Sequence, residues 1–264
     1  MIARRLSPWI VTAFLLWHAA HSPVASGYDL VNQADLSGPH AELHLARLAF
    51  ANGLHSNWGP GRPWWRIDWP QAEEFFTDGI DRYTSIDVAP DSVHIALNND
   101  AIFDYPWLFA QQVGRWQLSN SEALQLKEYL LRGGFMVVDD FHGPQQWQVF
   151  EQVMNRVLPG YTIHNLGTDD QLLNVLYELD QRTQIPGRRH LVGSANGQVR
   201  VDMPYSPPRW RGISDEQGRL MVAINFNMDM GDAWEHANDP VYPVPMTSLA
   251  YRFGINYIIY AMTH

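Results

Sequence analysis

Asp139, Asp140 and His142 close the segment EALQLKEYLLRGGFMVVDDFHG, which runs from Glu122 to Gly143. Carboxylates and an imidazole this close in sequence can hold a divalent cation or move a proton. Successive strand residues point to opposite faces, so the two aspartates are expected to divide their roles. One would enter a crevice while the other caps a helix or bonds a turn. His142 can join as a metal ligand or as a general base. The competing reading is a turn whose Asp side chains satisfy loop amides, with His142 as polar surface. Position favours a site, because ligands of open α/β sheets bind at the carboxyl ends of strands.

A second group lies in Asn225-Phe-Asn227-Met-Asp229-Met-Gly231-Asp232, followed by Trp234, Glu235 and His236. The alternating oxygen-bearing side chains invite a calcium-loop reading. That reading fails, because the glycine falls one place late and His236 stands where a bidentate Glu is required. The group still follows an apolar segment and can face Asp140 across the same crevice. A ligand set of Asp140, His142 and Asp229 or His236 would suit a divalent metal, the one cofactor these residues suggest. A third group, Trp58, Trp64, Trp65 and Trp69 with Arg62, Arg66 and Asp68, has the composition of a saccharide-stacking edge, although such aromatics more often pack in the core or within loops. The sequence contains no HExxH, P-loop, GxGxxG or GxSxG motif.

These residues need elements to position them. Leu43 to Phe50 alternates as a first strand, and Pro70 with Glu73 and Glu74 opens a helix to about Tyr83. Ser92 to Asn98 reads as a second strand. Ser119 and Glu122 form a capping box for a helix ending at Gly133-Gly134. Phe135 to Val138 is continuously apolar, as strands inside parallel sheets are. A helix over 144–157 and a strand over 161–164 follow. Asp180 to Ser214 lacks periodicity and reads as an excursion. Leu220 to Asn225 is a buried strand, and Thr247 to Met262 an apolar core helix. Strand–helix alternation implies a mostly parallel sheet covered on both faces.

The first residues are of another kind. Arg4 and Arg5 precede the uncharged run WIVTAFLLWHAA, and Val24-Ala25-Ser26 follows. This is the order of a signal peptide, too short in its apolar part to span a bilayer. Residues 1–26 are read as that leader, which implies export to the periplasm, and 27–42 as a linker; a retained anchor is the alternative. Loss of Arg4 and Arg5 with no acid would leave a formal charge of −12. Such a field repels nucleic acid. The chain has no cysteine, which removes disulfides, thiolate metal sites and a Cys nucleophile.

The run YLLRGGFMVVDDFHG, with WWRIDWP and FDYPWLF upstream and MGDAWEH and AYRFGINYIIYAMT downstream, resembles the bacterial domain-of-unknown-function family 4159. The resemblance spans about residues 44–263. That family is similar to the class I glutamine amidotransferase-like superfamily, which implies one three-layer, flavodoxin-like domain over 43–264. It also implies a nucleophile elbow at about Asp139–Asp140. The elbow here carries Asp where the amidotransferases need Cys, so thiol-dependent glutamine hydrolysis is excluded.

Three functions remain as expectations. The leading one is binding of a small polar ligand, a saccharide or envelope fragment, by Asp139, Asp140, His142, Asn227, Asp229, Asp232, Trp234, Glu235 and His236 with Trp64 and Trp65. The second is a metal-assisted hydrolase. The third is an envelope scaffold that meets a protein partner through the Trp-rich loop.

Overall fold

A computed structural model describes residues 41–51, 57–59, 62–179, 183–193, 199–205 and 207–264. The expected leader, and all but the end of the expected linker, lie outside these residues.

Seven strands form the central sheet: β1 (Ala46–Ala49), β2 (Val93–Ala96), β3 (Trp107–Gln111), β4 (Phe135–Phe141), β5 (Ile163–Asn165), β6 (Arg209–Ser214) and β7 (Leu220–Phe226). Their order is β2-β1-β3-β4-β7-β6-β5. The pairs from β2 through to β7 are parallel, while β6 and β5 add an antiparallel edge. Helices α1 (Gln71–Tyr83), α4 (Met230–Glu235) and α5 (Val244–Thr263) cover one face. Helices α2 (Asn120–Leu131) and α3 (Gly143–Val157) cover the other. The fold is therefore the expected three-layer, mostly parallel α/β sheet.

Burial of both sheet faces explains why β3 and β4 are apolar throughout. Met136 and Val138 pack with Leu126, Phe150 and Met154 on one side, and Phe135 and Val137 with Phe76, Trp234 and Phe253 on the other. The Ser119–Glu122 capping box forms in both directions at the start of α2. Among the described residues, no helix is long and apolar enough to cross a membrane.

Three expectations about elements change. Residues 107–111, for which the sequence suggests no element, are a central strand. Its brevity and the aromatic clusters around it hide a strand buried on both faces. Part of the expected excursion is sheet, since β6 pairs with β7 and a small ribbon joins Leu191–Gly193 to Val199–Val201. Finally, β4 runs on through Asp139 and Asp140 to Phe141, and both carboxylates belong to the strand.

Candidate functional site

Parallel pairing brings the carboxyl ends of β3, β4 and β7 together, with Gln111 opposite Asp139. Between Val138 and Phe141, β4 spends one residue more than β7 does between Ile224 and Phe226. This is a bulge, which re-aims a side chain. Asp140 occupies it in the left-handed region, with φ 49°. Among the described residues, the non-glycine ones in that region are Asp68, Gln112, Asp140 and Asn227, and all four belong to this site. Backbone strain concentrated in this way is characteristic of functional sites.

The bulge separates the paired aspartates. Asp139 turns to the α4 face, where its Oδ2 accepts the amides of Met230 at 2.6 Å and Gly231 at 3.2 Å. Its Oδ1 is buried without a hydrogen-bond partner. Burial, followed by the charge of Asp140, pushes its pKa up to about 7. Asp140 instead meets His142 Nε2 through Oδ1 at 2.9 Å and accepts Gln112 Nε2 on Oδ2. The Gln112 carbonyl oxygen is fixed by Arg115 Nε at 2.9 Å. Nδ1 of His142 is buried and unpartnered.

Asp229 reaches the same place from the β7–α4 turn. Its Oδ1 accepts Asp232 N at 3.0 Å, so it caps α4 from within. One ligand atom each from Asp140, His142 and Asp229 can be chosen within 4.8 Å of one another. These three residues are only 1%, 7% and 3% exposed. So little access suits an ion better than a sugar ring. Burial comes first among the causes that raise the Asp229 pKa, ahead of the charges of Asp140, Asp232 and Asp68.

The structure adds Asp68, which the sequence presents only as part of an aromatic loop. Asp68 accepts Gln111 Nε2 at 2.8 Å and forms a second ligand group with Asp229 and Asp232. Burial raises its pKa, with Asp232 and then Asp140 adding to the effect. Gln111 is held in turn by Arg47, a fully buried strand residue whose guanidinium is paired with Glu73. The signal that could have found this network is the polar pair Gln111-Gln112 at the end of an apolar strand.

The remaining expected site residues fall into four places. Asn227 braces the site: its Oδ1 accepts Gly143 N at 3.0 Å and its Nδ2 donates to Pro207 O at 3.1 Å. Asp232, Glu235 and His236 gather at the half-exposed end of α4 as a third group, separate from Asp140 and His142. Trp65 and Trp234 are core residues that offer no ring face to a ligand. Trp234 stacks on Phe76 at 4.1 Å, and Trp65 lies against His94 at 5.2 Å. Trp64 is half-buried under the Arg115 guanidinium, at 4.1 Å. Trp composition alone cannot separate an exposed indole from a packed one, and packing is the commoner use.

The chain belongs to the family described as Domain of unknown function (DUF4159), whose model matches residues 44–262. No curated protein matches the sequence. The family description carries no activity, so the chemistry has to come from the site itself.

Proposed function

We propose that this protein is a divalent-metal-dependent hydrolase of small polar substrates. The observation that carries the proposal is the buried convergence of Asp140, His142 and Asp229 from two separate strand exits. Carboxylate oxygens and one imidazole suit ions such as Zn²⁺ or Mn²⁺, and the soft thiolate alternative is absent from the chain. Gln112 holds Asp140 from behind, as second partners of metal ligands commonly do, and the bond between Asp140 and His142 Nε2 leaves Nδ1 as the unpartnered ring nitrogen. A divalent ion in such a setting supplies Lewis-acid activation of water. Half-exposed Asp68, Asp232, Glu235 and His236 form the rim over which a polar substrate would enter. Burial of the triad is why hydrolysis now ranks above the simple binding of a saccharide.

Metal analysis of protein purified without chelator tests the proposal, with Asp140→Ala alongside and a panel of ester, phosphoester, amide and glycoside substrates. Bound metal and turnover that both fall in the variant support it. Equal metal content in the two proteins, or none in either, overturns it. Export belongs to the same proposal and rests on Arg4, Arg5 and the apolar run after them. Cell fractionation with a tagged C-terminus checks that part, and a purely cytoplasmic, full-length product would contradict it.

A further inference from the structure

We propose that Asp229 bridges two divalent cations, one held with Asp140 and His142 and the other with Asp68 and Asp232. This deepens the single-ion reading above and rests on it. Asp229 is common to both ligand groups, each of which has its atoms within 4.8 Å. It is also the buried member of the second group, in which Asp68 and Asp232 are half-exposed. Among the described residues its Oδ2 has no hydrogen-bond donor, because the one bond to its side chain goes to Oδ1. As the N-cap of α4, Asp229 spends only Oδ1 on the helix and leaves Oδ2 available to a cation, and in the first group Nδ1 of His142 is buried without a partner.

Two matching arms hold the outer carboxylates. Arg47 donates to the Gln111 carbonyl oxygen, which turns the Gln111 amide toward Asp68. Arg115 does the same for Gln112, which turns that amide toward Asp140. Gln111 and Gln112 are neighbours in the chain, and Asp68 and Asp140 both stand at positive φ, 63° and 49°. The structure therefore fixes one carboxylate on each side of Asp229 by the same device. A lone ion on Asp140, His142 and Asp229 would leave the Asp68 arm without a purpose.

Charge points the same way. Asp68, Asp140, Asp229 and Asp232 gather four carboxyls here, with Asp139 and Glu235 close enough to add their charge. The buried Arg47 cannot balance them, because Glu73 already neutralises it. Backbone is pared away around the shared residue as well. A Cβ on Gly187 would sit 2.6 Å from Asp229 Oδ2, and one on Gly231 2.7 Å from Asp68 Oδ2. Two-metal sites place their ions about 4 Å apart and clamp the attacking and leaving oxygens of a displacement. A phosphoester, whose attacking and leaving oxygens lie in line during displacement, is accordingly the substrate class that such a centre would take.

Chelator-stripped full-length protein titrated with Mn²⁺ tests this, followed by calorimetry and electron paramagnetic resonance. The expected result is two Mn²⁺ per chain with the spectrum of an exchange-coupled pair. Asp68→Asn, isosteric and tolerant of positive φ, should bind one ion and give the signal of isolated Mn²⁺. A single uncoupled ion in the unaltered protein would overturn the bridge and leave the hydrolase proposal standing. No binding at all would overturn both. Two coupled ions retained in Asp68→Asn would overturn the assignment of the second site.

Discussion

The two glutamine arms are alike in connectivity and opposite in environment. In the first, Arg47 is fully buried, doubly paired with Glu73, and donates to the carbonyl oxygens of Trp65 and Ile67 as well as to Gln111. In the second, Arg115 is half-buried, stacked on Trp64, and pairs with no carboxylate among the described residues. The first arm is thus part of the core and the second part of the surface. Damage to the first should cost stability as well as its cation, and damage to the second ligand affinity alone. The carboxylate that each arm presents is the same kind of group, so the contrast separates folding from function.

The largest effect is expected from Glu73→Ala, which strands the Arg47 charge in the core. Breaking a buried pair in this way costs on the order of 3–5 kcal/mol, measurable by denaturant unfolding. Replacing both partners, as Arg47→Leu with Glu73→Leu, should recover much of that stability while the second cation stays lost. If the double variant still binds two ions, the Arg47 arm is purely structural.

Removal of the amides comes next. Gln111→Ala and Gln112→Ala should each weaken metal binding about 10–100-fold, the usual cost of losing a partner behind a ligand. Calorimetric titration should show Gln111→Ala acting on one ion and Gln112→Ala on the other. Identical losses at both sites would erase the distinction between the arms.

A pH effect of similar size follows from the buried carboxyls. The Asp139 pKa is raised to about 7, so the folded state holds its proton more tightly than the unfolded chain does. For an acid raised in this way, stability is fullest at low pH and is lost as pH climbs towards the folded-state value. The metal-free protein should therefore be less stable at pH 8 than at pH 5, by on the order of 2 kcal/mol from this group. Raised pKa values at Asp68 and Asp229 act with the same sign. A midpoint that rises from pH 5 to 8 in the metal-free protein would contradict these assignments. The smallest effect belongs to Arg115→Ala, about 1 kcal/mol for a half-buried stack and one hydrogen bond. It should lower affinity only a few-fold.

Much of the frame was legible because its signals are local. The capping box at Ser119 and Glu122, the Gly-Gly stop and the apolar run of β4 each need only neighbouring residues to be read. Asp139, Asp140 and His142 could likewise be placed at a strand exit. The division between the two aspartates was anticipated as well, with one caught by backbone amides. The helix that Asp139 caps is α4, more than ninety positions along the chain, and not the next one. What stayed hidden depends on distant pairing. Asp68 enters only because β3 places Gln111 beside Asp139, and Arg47 is a charged residue inside an apolar strand that looks like surface until Glu73 is found. Trp65 and Trp234 misled for the complementary reason, since an indole that binds and one that packs have the same sequence.

The central claim is that Asp229 is a cation ligand, and anomalous diffraction from crystals soaked in Mn²⁺ tests it most directly. A bridging Asp229 gives anomalous peaks on both sides of its carboxylate, one reached by Asp140 and His142 and the other by Asp68 and Asp232. Density confined to the Asp232, Glu235 and His236 group, with none at Asp229, would contradict it.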